Sequence, residues 1–177
     1  PAQPATPEQP PLFDAEPAAP CRTPEESGGP LVVIPCSARK GAEAAPAREL
    51  YTGSYHRMCA RAAAGLAREG GRVLILSARH GLLTPDTMVE PYEHRMGQLG
   101  DVTPDRLRAQ AERLGVADAE QVVILTGRAY AQAARAVWPH ARTPLAGTRG
   151  IGHQRARLAE IIRTSTLPTT THEATAA

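Results

Sequence analysis

At 177 residues the chain is sized for one ordinary domain, long enough to bury a core unaided. A net charge of +2 is far below that of a dedicated DNA binder, and no apolar run approaches the eighteen or so residues of a membrane helix. Three cysteines (Cys21, Cys36 and Cys59) make an odd count without CxxC spacing, which argues against a disulfide framework and a structural zinc site.

Residues 1–30 are rich in Pro, Ala and Glu and cannot bury enough apolar surface to offset the entropy of ordering. They read as a disordered tail carrying Glu8, Asp14, Glu16, Glu25 and Glu26 against Arg22, a net of −4 that leaves the remainder at +6. Residues 165–177, with threonines around Pro168, read as a second disordered tail. The expected domain is 31–164, mildly basic, and a basic domain favours an anionic partner such as a nucleotide or nucleic acid. No basic n-region precedes an apolar h-region, so the expected setting is cytoplasmic, with no membrane partner.

Within that domain the first strand is Leu31-Val32-Val33-Ile34, continuously apolar as strands buried on both faces are. Tyr55, Met58, Cys59, Ala62 and Leu66 then share one face of a helix ending near Gly70-Gly71. Thr52 or Ser54 is expected to cap it. The second strand is Val73-Leu74-Ile75-Leu76. Thr103-Pro104-Asp105 is a capping residue followed by proline at the first helical position, opening a helix to Gly115. Val122-Val123-Ile124-Leu125 is the third strand, and a helix from about Ala129 to Trp138 stops at Pro139. A weak fourth strand is expected around Arg142–Leu145, then a last helix with Ile151, Leu158, Ile161 and Ile162 on one face. Strands alternating with helices imply an α/β fold: a three-layer sandwich around a mainly parallel sheet.

Polar, glycine-bearing segments follow each strand: Pro35-Cys36-Ser37-Ala38-Arg39-Lys40, Ser77-Ala78-Arg79-His80-Gly81, Thr126-Gly127-Arg128 and Gly147-Thr148-Arg149-Gly150-Ile151-Gly152. Ligands of open α/β sheets bind just beyond the carboxyl ends of the strands, so these segments are expected to share one crevice. Gly150, Gly152 and Arg149 are either an anion-binding helix start or a tight turn, and Thr126 with Gly127 offers the same alternatives. Cys36 is either a small buried hydrophobe or a nucleophile activated by neighbouring cations, and Ser37 is a hydroxyl donor for a ligand oxygen. His80 is the acid–base candidate, since histidine titrates near neutrality, and His56 is a substrate contact near the crevice mouth. Glu90 is a candidate base or orienting carboxylate, and Tyr92 a ring for stacking on a planar base. Tyr51, Ser54 and Ser77 complete the expected binding residues. No cluster has metal-ligand spacing, and no cofactor is expected.

Lys40 is the single lysine among 20 basic residues. A lysine surviving in an arginine-rich chain is either a chance placement or one whose chemistry guanidinium cannot supply, because an ammonium is a compact charge that can lose its proton when desolvated.

The run from Leu76-Ser77 through Gly81, Leu83 and Pro85 to Pro91-Tyr92 and Met96-Gly97 resembles the YaaA-family signature LSxxxGxLxPxxxxxPYxxxMG. Pro35-Cys36-Ser37, Lys40, Tyr51-Thr52-Gly53 and the stretch from Pro144 to Gly152 extend the resemblance over most of residues 31–158. It is similar to a compact bacterial branch related to YaaA, which implies a cytoplasmic protein near nucleic acid metabolism and linked to peroxide stress. Pro35-Cys36 and Lys40 also resemble the first half of PCxxxKPYxxSxxH in archaeosine synthase-type amidinotransferases. The second half departs, with Gly41-Ala42 in place of Pro-Tyr and with Tyr51, Ser54 and His56 arriving later. Together these imply an enzyme acting on a nucleobase, nucleoside or nucleotide by group transfer or N-glycosidic chemistry. Lys40, His80, Glu90 and Cys36 are its expected catalytic residues. The alternative implied by YaaA is a non-catalytic DNA-binding stress protein.

Overall fold

The three apolar runs lie side by side as the parallel part of a four-stranded sheet. The computed structural model describes residues 29–68 and 70–166. Strand β1 (Leu31–Pro35) is followed by a short strand β2 (Ala45–Pro46) and helices α1 (Ala47–Leu50) and α2 (Ser54–Leu66). Strands β3 (Arg72–Ser77), β4 (Gly81–Leu83) and β5 (Met88–Val89) precede helix α3 (Pro104–Arg113). Strand β6 (Val122–Ile124) and helices α4 (Arg128–Arg135) and α5 (Ile151–Thr166) complete the order.

The sheet runs β4-β3-β1-β6. β1 is parallel to β3, with Leu31 opposite Arg72 and Pro35 opposite Leu76, and parallel to β6, with Val33 opposite Ile124. Side chains alternate across the pleat. Val32, Ile34, Ile75 and Val123 meet Cys59, Ala62 and Ala63 of α2 and Leu158 of α5 on one face. Leu31, Val33, Leu74, Leu76 and Ile124 meet Leu107 and Ala111 of α3, Ala134 of α4 and Trp138 on the other. Both faces of β1 are therefore covered, which is why it is apolar at every position. Trp138 is fully buried, its indole N–H donating to Val116 O at 2.9 Å.

Thr103 caps α3, accepting the Arg106 N–H, with Pro104 in the first turn as expected. At α2 the capping position belongs to Gly53, without a side-chain cap, rather than to Thr52 or Ser54. A Cβ at Gly53 would lie 2.2 Å from Ser37 Oγ, so close approach of two loops selects glycine there. The expected fourth strand is reduced to one parallel bridge between Val123 and Arg142. Gly81-Leu82-Leu83, expected as loop, pairs antiparallel with β3, Ser77 opposite Gly81. β2 and β5 form a separate two-stranded antiparallel ribbon. α4 stops at Arg135, short of Trp138.

In α5, Leu158 is buried and Ile161 and Ile162 pack on the core, but Ile151 is 54% exposed. The reason is length. Arg155 donates to Ser54 Oγ at 2.9 Å at the start of α2, so Ile151, one turn earlier, overhangs the end of its partner helix. Of the two expected tails, only residues 29–30 and 165–166 fall within the described residues, and the last two continue α5. No helix among the described residues is long and apolar enough to cross a membrane.

Candidate active site

Parallel pairing brings the ends of β1 and β3 together, and the site grows from there. Cys36 follows β1 and its backbone N–H donates to Leu76 O at 2.9 Å. The loop beyond it turns back on residues 50–52. Thr52 N–H donates to Arg39 O at 3.0 Å, Gly41 N–H to Leu50 O at 2.8 Å, and Lys40 pairs with Tyr51 in an isolated antiparallel bridge. Backbone bonds on both sides of Lys40 thus set its direction. Its Nζ lies 4.1 Å from the ring centroid of Tyr92, a cation–π distance.

The turn between β3 and β4 carries Ser77, Arg79 and His80. Gly81 closes it at φ +79°, and a Cβ there would fall 2.0 Å from Gln110 Oε1. The Gln110 amide acts as a local strand edge, donating to His80 O at 2.7 Å and accepting from Leu82 N–H at 2.9 Å. His80 is thereby fixed, and its ring meets Tyr92 edge-on with centroids 4.8 Å apart. His80 Nε2 is buried and without a hydrogen-bond partner. Burial, then the charges of Arg79, Arg106 and Lys40, lower the His80 pKa below its ordinary value, so the ring is neutral near pH 7.

Hydroxyls link these parts in a defined direction. Ser77 Oγ accepts the backbone N–H groups of Arg79 at 3.2 Å and His80 at 3.0 Å. A hydroxyl oxygen has two lone pairs, so the Ser77 proton goes to Tyr92 Oη at 2.8 Å. Tyr92 then donates to Tyr51 Oη at 2.9 Å. Tyr51 is 1% exposed, and Ser77 as well as Tyr92 lies within reach of its hydroxyl. On the other side Cys36 Sγ and Tyr130 Oη lie 3.2 Å apart. Burial is the main cause that raises the pKa of Tyr51, Tyr92 and Tyr130, with Cys36 close enough to add to each. These phenols stay protonated and act as donors, not as bases.

His56 faces the underside of the same strand end. It is buried, and its Nδ1 lies 2.7 Å from Pro35 O, which places the proton on Nδ1 and leaves Nε2 as an acceptor. Burial lowers its pKa, against the effect of the Pro35 carbonyl. Its ring lies 5.4 Å from that of Tyr51. Tyr55, one position earlier, donates to Gln154 Oε1 at 2.7 Å and so ties α2 to α5.

Of the residues singled out in the sequence, Cys36, Lys40, Tyr51, His56, Ser77, His80 and Tyr92 come together. Ser37 stands beside them, accepting the Arg39 N–H at 3.1 Å. Tyr51 and Ser77 are fully buried and Tyr92 nearly so, with Lys40 on its ring and His80 at its side. Tyr92 is therefore placed to position these groups, not to offer an open stacking surface. Glu90 is exposed and makes neither a hydrogen bond nor an ion pair in the described structure. Ser54 is taken by Arg155. Thr126 is buried and its hydroxyl donates to Gly127 O at 3.2 Å, while Gly127 caps α4 without a side-chain bond. Arg149 is exposed and unpaired, Gly150 turns at φ +96°, and Gly152 lies in the first turn of α5.

Two contributors escaped sequence reading. Tyr130 sits on α4, three residues beyond Gly127, and Arg106 of α3 joins Arg79, which the sequence already puts in the crevice segment, in acting on His80. The available signal was the scarcity of aromatics: three of the chain's four tyrosines, Tyr51, Tyr92 and Tyr130, lie in this cluster.

Fold and site together define an α/β protein whose polar residues converge at the carboxyl ends of a parallel sheet covered on both faces. The chain belongs to a family of unknown function, DUF6884, whose model matches residues 31–160. It is similar to the uncharacterized protein YfjM of Bacillus subtilis (strain 168), 33% identical over 135 residues covering 70% of this chain and 88% of that protein. No solved structure matches it.

Proposed function

We propose that this protein is an enzyme acting on the base-bearing part of a nucleobase, nucleoside or nucleotide, by group transfer or N-glycosidic chemistry. The observation that carries the reading is the meeting of Lys40 and His80 on one tyrosine ring, with the Cys36 thiol joined to the same phenol cluster. The likeness of Leu76–Gly97 to the YaaA signature, and of Pro35-Cys36 and Lys40 to the amidinotransferase motif, supports a nucleobase as substrate.

The groups divide the work by protonation state. In N-glycosidic cleavage the C1′–N bonding pair leaves with the base while water adds to C1′. Neutral His80 receives the proton that water loses, through Nε2, and the Lys40 ammonium offsets charge on the departing base. In group transfer, Cys36 Sγ, oriented by Tyr130, bonds to the transferred group as that group's bond to its donor breaks; the bonding pair leaves with the donor, which takes the thiol proton.

Thermal-shift screening of the full chain against bases, nucleosides and nucleotides tests the reading, because a ligand selective for the folded state raises the midpoint. Ligands that bind are then incubated with the protein and followed chromatographically. The expected result is binding and conversion of base-bearing compounds, lost in Lys40→Ala. Full turnover by Lys40→Arg would remove the special role of the ammonium. Salt-sensitive binding to unrelated duplex DNA without conversion of any compound would replace the enzyme with a DNA-binding protein.

A further inference from the structure

The polar site carries an uncompensated group of cations that the sequence does not bring together. Lys40 Nζ lies 4.1 Å from the Tyr92 ring centroid and Arg79 Cζ lies 5.8 Å from the same centroid. Arg106 comes from α3, one helical turn before Gln110, whose amide holds the His80 carbonyl. It therefore projects on the side of α3 that faces the β3–β4 turn. All three cations act on His80. No described carboxylate forms an ion pair with any of them. The ion pairs present join Arg48 to Glu49 and Asp86, His94 to Asp101, Arg108 to Asp105 and Arg157 to Glu160.

Like charges gathered at one place repel one another. The arrangement therefore favours an anion that neutralises it. Two guanidinium forks with an ammonium match the several oxygens of a phosphate, the forks by paired N–H donors and the ammonium as a point charge. Arg149 and the glycine turn before α5, where the sequence suggests an anion, present one exposed arginine without converging partners. The cation group lies instead on the β3–β4 side of the sheet.

We propose that Lys40, Arg79 and Arg106, grouped around His80, form a phosphate-binding site that selects phosphorylated nucleosides over free nucleosides and bases. This rests on the nucleobase reading above and names its substrate class. The phosphate has two sources of shared chemistry, a free nucleotide or a polynucleotide backbone, and the free nucleotide is the one a compact group of this kind fits.

The test is calorimetric titration of the full chain with a nucleoside, its 5′-monophosphate, inorganic pyrophosphate and a short mixed-sequence DNA duplex. It is repeated with Arg79→Gln, Arg106→Gln and, as a control for lost charge elsewhere on α3, Arg113→Gln. The monophosphate is expected to bind at least about tenfold more tightly than the nucleoside, the effect of one charge-assisted contact. Arg79→Gln and Arg106→Gln should each remove that advantage without weakening the nucleoside, and Arg113→Gln should leave it intact. Arginine-dependent binding of pyrophosphate without preference for a base supports the site and overturns the nucleobase reading. Duplex binding tighter than monophosphate binding, with the same arginine dependence, supports the site with a backbone as its source. Equal binding of nucleoside and monophosphate, unchanged by Arg79→Gln and Arg106→Gln, overturns the phosphate site and leaves the nucleobase reading standing. Binding of none of the four overturns both.

Discussion

Ser77→Ala removes one oxygen from the junction of the site, and the structure sets the size of the effect. Ser77 is fully buried, accepts two backbone N–H groups and donates to Tyr92. Its loss leaves the Arg79 and His80 amides without their acceptor and Tyr92 without its donor. A buried donor left unpaired costs about 1–3 kcal/mol. Arg79 is exposed, so water can reach its amide and offset part of its share. The expected loss is about 2–4 kcal/mol, or a midpoint fall of roughly 6–15 °C for a domain of this size. Urea denaturation of wild type, Ser77→Ala, Tyr92→Phe and the double variant measures it. The coupling between the two sites should be about 1 kcal/mol, since each side chain uses the other. Direction matters as well. Tyr51→Phe removes one partner of Tyr92, whereas Tyr92→Phe removes a partner of both Ser77 and Tyr51, so Tyr92→Phe should cost more. A Ser77→Ala variant within about 0.5 kcal/mol of wild type, the range of an ordinary surface change, would refute the directed hydroxyl chain.

Gly81→Ala places a side chain at φ +79° and within 2.0 Å of Gln110 Oε1. It should destabilise by about 1–3 kcal/mol and broaden the His80 resonances, measured by denaturation and NMR. His56 and His80 both have pKa values lowered below 6.5. The unfolded chain then binds more protons than the folded one below that value, so their contribution to stability is present above pH 6.5 and is lost as pH falls toward 5. Denaturation midpoints measured from pH 7.5 to pH 5 should show a decline that His80→Gln reduces. Cys59 is fully buried and burial pushes its thiol up to about 12. In a Cys21→Ser background, iodoacetamide at pH 8 should leave Cys59 unlabelled until urea unfolds the chain, as read by mass spectrometry, while Cys36, at 8% exposure, reacts first.

Sequence determined the scaffold because local chemistry determines it. Three short, continuously apolar runs rich in Val and Ile read as strands covered on both faces, and Thr103-Pro104 reads as a helix start. The same logic put Cys36, Lys40, Ser77, His80 and Tyr92 at strand ends, and parallel pairing brings strand ends together. What failed was everything set by contacts between distant segments. Gly81 was legible as a turn but not as the start of an antiparallel strand, whose pairing depends on Gln110 from α3. Ile151 fits the apolar face of α5, and only the length of α2 leaves it uncovered. Gly53 caps α2 with the Ser37 side chain packed directly against it, a close approach that periodicity does not encode.

The site follows the same division. Composition singled out Lys40, and strand order explains where its backbone lies. Its ring partner, the direction of the Ser77–Tyr92–Tyr51 hydroxyls, the place of Tyr130 beside Cys36 and the gathering of Arg79 and Arg106 around His80 are tertiary facts. Each depends on where one side chain ends relative to another far along the chain, and residue spacing carries no such distance.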